Sequence, residues 1–157
     1  MSTWWIQEPF VLGSSNPSDH QLAQLRAQGF TVLVSFLNDN AQRPRYDVHA
    51  VGQAGWSRYS IAVEDFHAPS LEQLRNFNAL LETVPENTKV VVHCEGGSGR
   101  TGTMGAAYWI ARGLTATQAI GRVRKAKPEA IENCEQEKVL YQYAELLEGI
   151  LKNKPSA

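Results

Sequence analysis

KVVVHCEGGSGRTGTMGAAYWIARG, residues 89–113, runs through three kinds of sequence in succession. KVVVH, 89–93, is a short apolar β-branched run and reads as a strand buried on both faces. The segment that follows it is rich in Gly and reads as a loop. TGTMGAAYWIARG then supplies the small and apolar residues of a buried helix. Strand, loop and helix in that order build open α/β sheets, and the loop beyond a strand's C-terminal end is where such sheets place ligands.

The rest of the chain repeats the alternation. TVLVSFL, 31–37, is another doubly buried strand, RYSIAV, 58–63, a further one, and WWI, 4–6, and FVLG, 10–13, are short strands separated by Pro9. Turn and cap residues in SSNPSDH open a helix through about Gln28, which Gly29 stops, and a second helix is expected over 47–55, ending at Gly55. Ser70 with Gln73 is a capping-box pair, followed by Leu71, Leu74, Phe77, Leu80, Leu81 and Val84 at helical spacing. Thr115 with Gln118 starts another helix closed by Pro128, and Asn133 with Gln136 starts the last, through Val139, Leu140, Tyr143, Leu146, Leu147 and Ile150. The expected fold is a single α/β domain over 1–150, a central, mostly parallel sheet flanked by helices, with a frayed tail at 151–157.

Composition sets the limits on function. The 157 residues are 43% hydrophobic and 20% charged with a net charge of −1, so no broad field favours nucleic acid or anionic lipid. No apolar run approaches the roughly 18 residues of a membrane span, and MSTWWIQEPF lacks the basic end and apolar stretch of a signal peptide. A cytoplasmic monomer without membrane insertion is expected. Cys94 and Cys134 are too few for a disulfide framework. His20, His49 and His67 have no metal-ligand spacing, so neither metal nor cofactor is implied. The basic group Arg122, Arg124, Lys125 and Lys127 reads first as a solvated helix end, and Trp4-Trp5 as core or edge packing.

Any anion recognition is therefore local, and CEGGSGRT is built for it. The first-turn amides of a helix are unpaired and its dipole is positive at that end. Gly96, Gly97 and Gly99 let the loop curl until the amides of Glu95, Gly96, Gly97, Ser98, Gly99 and Arg100 point inward on a phosphate. Cys94, at the base of that cradle, has its thiolate stabilised by the same dipoles and becomes a nucleophile. Arg100 offers a planar fork for two phosphate oxygens, Thr101 can place its hydroxyl on the sulfur, and His93 orients the loop. A nucleotide P-loop is excluded, since no Lys follows a G-x-x-x-x-G spacing.

HCEGGSGRTG matches the H-C-x5-R-[ST] signature of the cysteine-dependent protein phosphatases. VVVHC and RTGTMGAAYWIARG around it resemble the small atypical dual-specificity phosphatases, as do FVLGSSNPS, VLVSFLND, EDFHAPS and EAIENCEQEKVLYQY. The resemblance implies a phosphatase that forms a phosphocysteine and hydrolyses it with water. It places the general acid at Asp65 in VEDFHAP, although Glu64 stands where the family often has Pro and is a second candidate. It places Gln136 and Glu132 in ENCEQE beside the phosphate loop as water-positioning groups, while a capping box with Asn133 accounts for Gln136 equally well. Cys134 would lie near the pocket, where it could capture an oxidised Cys94. Phosphotyrosine, with phosphoserine or phosphothreonine, in protein partners is the implied substrate. Glu95, with no lysine in the loop, disfavours a polyphosphorylated lipid. The alternatives are a phosphatase of a small phosphorylated metabolite or nucleotide, and a phosphate-binding module without catalysis.

Overall fold

Alternate residues of the strand at Lys89–His93 face opposite sides: Val90 and Val92 enter one apolar cluster, Val91 the other, and all three are fully enclosed. That burial explains the unbroken apolar run, since such a strand has no solvent face on which to place polar residues. The structure, a computed structural model, describes residues 1–153. Five strands, β1 (Thr3–Gln7), β2 (Val11–Ser14), β3 (Phe30–Ser35), β4 (Ser57–Ser60) and β5 (Lys89–His93), form one sheet in the order β1-β2-β5-β3-β4. Only the β1–β2 pair is antiparallel. The expected mostly parallel sheet flanked by helices is what the chain forms.

Helices α1 (Asp19–Ala27) and α2 (Val48–Gln53) cover one face through Leu22, Leu25 and Val51. The other face carries α3 (Leu71–Thr83), α4 (Gly99–Ala111), α5 (Ala116–Ala126) and α6 (Cys134–Lys152). The capping boxes at Ser70/Gln73 and Thr115/Gln118 form as expected, and Ser18 with Gln21 forms a third. Two strands stop short of their apolar runs. β3 ends at Ser35 because the β5 backbone turns away there; Phe36 and Leu37 stay enclosed, and the Phe36 N–H still meets His93 O at 2.8 Å. β4 ends at Ser60 rather than residue 63 because its register slips there: Ile61 N–H still meets Ser35 O at 2.8 Å and Val63 N–H meets Phe36 O at 3.1 Å, two residues of one strand against one of the other. At the other end of the chain α6 continues to Lys152, past the expected boundary at 150, with Asn153 N–H closing it on Gly149 O. The remainder of the expected tail, 154–157, lies outside the described residues.

Candidate active site

β2, β3 and β5 run the same way, so their C-terminal ends meet: His93 is in register with Ser14 on one side and Ser35 on the other. The chain leaves the sheet there. Cys94 is buried, and its Sγ receives the Gly97 N–H at 3.3 Å and the Thr101 hydroxyl at 3.0 Å. Both donors favour negative charge on the sulfur. Gly97 has φ +78°, and a Cβ there would lie 2.7 Å from Ser15 N, so glycine is required by conformation and by space. Its carbonyl accepts from Trp4 Nε1 at 2.8 Å. Trp4 is thus core packing with one further task, and its ring fills the space beside Gly13, where a Cβ would lie 2.8 Å from Trp4 Cε2. Ser98 caps α4 without a side-chain bond, which leaves the first-turn amides to an anion.

Arg100 is almost wholly enclosed, and a buried guanidinium needs partners. Nη1 donates to Val63 O and Nη2 to Asp65 Oδ1, each at 3.0 Å. Asp65 Oδ1 also accepts the Phe66 N–H at 3.0 Å, and Oδ2 accepts Gln42 Nε2 at 2.8 Å. Of the two carboxylates in VEDFHAP, Asp65 is therefore the one brought to the cradle. Glu64 is exposed and lies 3.8 Å from His67 Nε2. The Glu95 carboxylate is turned to the loops after β2 and β3, meeting Asn16 Nδ2 at 3.0 Å and Arg45 at 3.5 Å.

His93 Nδ1 lies 3.2 Å from Cys94 O, and Nε2 lies 2.8 Å from the Tyr46 hydroxyl. A carbonyl can only accept, so Nδ1 carries the proton and Nε2 accepts from Tyr46, whose oxygen in turn accepts from Arg58 Nε at 3.0 Å. Burial pushes His93 down to about 4 and raises Tyr46 above its ordinary value, so the ring is neutral and the phenol intact. The expected loop-orienting task of His93 has its geometry here.

Gln136 is fully enclosed. Asn133 accepts its N–H at 3.0 Å, but the Gln136 side chain does not complete a capping box: Oε1 accepts Glu132 N–H at 2.7 Å and Nε2 donates to His67 O at 3.2 Å. It ties the start of α6 to the Asp65 loop, as does Asn133 Nδ2, which donates to Phe66 O at 2.7 Å. A Cβ on Gly99 would lie 2.5 Å from Glu132 Oε2 and 3.1 Å from Gln136 Nε2, so both groups border the cradle. Cys134 is an exposed free thiol. The basic group does structural work: Arg124 pairs with Glu137 at 2.8 Å and donates to Ala130 O and Ile131 O, and Arg122 lies over Trp109.

A buried thiol sulfur that accepts two donors, an arginine and a carboxylate gather around one helix N-terminus, and the model of the family described as "Polymorphic toxin system, DSP-PTPase phosphatase" matches residues 10–114. The chain belongs to the DSP-PTPase phosphatases. It is similar to mouse protein tyrosine phosphatase domain-containing protein 1, 28% identical over 82% of this chain and 19% of that protein. It is also similar to tyrosine-protein phosphatase CDC14 of Saccharomyces cerevisiae, 30% identical over 76% of this chain and 24% of that one. The chain thus spans about a fifth to a quarter of the length of these relatives. Among solved structures, Tk-PTP in the active form superposes with a TM-score of 0.82 at 34% identity, covering 92% of this chain and 97% of that one.

In this DSP-PTPase, sequence reasoning missed Asn16, Gln42 and Tyr46, which reach the cradle from the polar segments that follow β2 and β3. The signal that could have found them is topological: once β2 and β3 flank β5, the residues just beyond each strand must gather around residue 94.

Proposed function

We propose that the protein hydrolyses phosphomonoesters through a phosphocysteine at Cys94. The Cys94 thiolate attacks phosphorus. As the S–P bond forms the P–O bond breaks, its electron pair passes to the leaving oxygen, and Asp65 supplies that oxygen with a proton. The amides of residues 95–100 and the remaining N–H groups of Arg100 hold the three equatorial oxygens. In the second step water attacks phosphorus, its proton passes to Asp65, and the S–P electron pair returns to Cys94, whose sulfur the Thr101 hydroxyl steadies. Glu132 and Gln136, both at the border of the cradle, are the groups proposed to hold that water.

The observation that carries this reading is the contact of Arg100 with Asp65 at 3.0 Å, made in the same loop that aims two donors at Cys94 Sγ. A non-catalytic binding module has no use for a carboxylate beside the phosphate's own arginine. The proposed substrates are phosphorylated protein side chains, tyrosine first, in keeping with the names of the similar proteins. Every group invoked comes from one chain, so a monomer suffices, and the reducing cytoplasm would keep Cys94 as a thiol.

Hydrolysis of an aryl phosphate tests the chemistry. Wild-type protein should turn it over in the presence of chelator, and Cys94→Ser should fall to the uncatalysed rate. Activity that survives Cys94→Ser, or that disappears with chelator, would falsify the mechanism. A panel of phosphopeptides, nucleotides and phosphoinositides assayed side by side then ranks the substrates.

A further inference from the structure

Gln42 lies in the loop after β3, and its backbone is fixed from both sides. Its N–H donates to Asn38 O at 2.8 Å. Asn16 holds the residues beyond it, Nδ2 donating to Arg43 O at 3.0 Å and Oδ1 accepting Arg45 N–H at 3.1 Å. Asn16 is itself buried and bonded to Glu95 through both backbone and side chain, so the loop is clamped to the rim of the cradle. From this fixed point Gln42 Nε2 reaches Asp65 Oδ2 at 2.8 Å.

The two oxygens of Asp65 have different surroundings. Oδ1 faces Arg100 and the Phe66 N–H, whereas Oδ2 has Gln42 as its one hydrogen-bond partner among the described residues. The far end of the same amide, Oε1, is buried without a hydrogen-bond partner. Buried acceptors in that condition are rare in folded proteins. Here it marks an amide held with its donor on Asp65 although its acceptor gains nothing. Each carboxyl oxygen offers two lone pairs: Oδ1 already faces two N–H donors, whereas Oδ2 meets one, so the carboxyl's proton sits on the remaining lone pair of Oδ2.

We propose that Gln42 is a positioning residue for Asp65: by donating to one lone pair of Oδ2 it fixes the rotation of the carboxyl and leaves the other lone pair of Oδ2, the oxygen that does not bond Arg100, to carry and give up the proton. The proposal rests on Asp65 being the general acid. During phosphocysteine formation the Oδ2 proton goes to the leaving oxygen as that oxygen takes the P–O electron pair, and in the hydrolytic step Oδ2 receives a proton from water. Gln42 exchanges no proton itself.

Leaving-group dependence tests the assignment, because a proton donor matters only where the departing oxygen is basic. Gln42→Leu is expected to lower kcat/KM on phenyl phosphate and a phosphotyrosine peptide about ten- to a hundredfold, with less than about a twofold change on 2,4-dinitrophenyl phosphate. Asp65→Asn should give the same pattern, more strongly. Alkylation of Cys94 by iodoacetate should proceed in Gln42→Leu at the wild-type rate. If Gln42→Leu does not fold, Gln42→Glu, similar in shape with an acceptor in place of the donor, should show the same selectivity. Equal slowing of all three substrates, no slowing, or slowed alkylation of Cys94, with Asp65→Asn still selective, overturns the role of Gln42 alone. An Asp65→Asn profile without selectivity overturns the acid assignment, and the role of Gln42 with it.

Discussion

His93 shows what a single side chain contributes when the fold encloses it completely. Desolvation holds the ring neutral, with its pKa lowered from 6.5 to about 4, and in that form it can donate to Cys94 O while accepting from Tyr46. Between those two values the unfolded chain binds a proton that the folded chain refuses, so stability rises with pH across the window. It is complete above about pH 6.5 and is lost as pH falls toward 4. The whole effect is about 3 kcal/mol by the linkage relation. Denaturant unfolding followed from pH 7 to pH 4 should show this slope in the wild type and lose it in His93→Gln; matching slopes in the two proteins would assign the loss to other groups.

At the scale of elements, the cradle depends on a backbone conformation more than on any side chain. Gly97 has a left-handed φ and lies against Ser14 and Ser15 at the end of β2. Gly97→Ala should destabilise the protein by about 1–3 kcal/mol and weaken competitive inhibition by inorganic phosphate, since the loop must shift to admit the methyl group. Thermal unfolding and a phosphate inhibition constant that both match the wild type would show that the loop has slack. The run KVVVH was legible because its surroundings impose one requirement, enclosure on both faces, and its limits coincide with those of β5. The capping boxes of α3 and α5 were legible because their partners are three residues apart. The ends of β3 and β4 were not, since a strand ends where its neighbour turns away or its register slips, and that neighbour is distant in sequence. Gln136 is the same lesson in a side chain. Its spacing from Asn133 fits a local cap, but its amide goes to Glu132 and His67.

Across the whole molecule, stability should follow the order of the strands. β5 sits between β2 and β3 with both faces covered, whereas β4 lies at one edge with three of its four residues exposed. Native-state hydrogen exchange should be slowest at the paired amides of β5 and β3 and faster along β4 and β1. Protection in β4 equal to that in β5 would mean that the sheet opens only as a unit. The arrangement puts the site on its least mobile support, because Cys94 follows directly from β5. Cys94, Arg100 and Thr101 were legible because they lie within eight consecutive residues. The groups that orient them were hidden by long separations: Asn16 from Glu95 by 79 positions, Tyr46 from His93 by 47, and Trp4 from Gly97 by 93.

The last of these pairs bears on how the chain can vary. The Trp4 ring occupies the room that a side chain on Gly13 would need, while its N–H holds the Gly97 carbonyl. A larger residue at position 13 therefore requires a smaller one at position 4, and the smaller one no longer reaches the cradle. The three positions form an epistatic set, so that a substitution in β2 tolerated by the sheet would still register, through Trp4, in the loop that carries the cysteine.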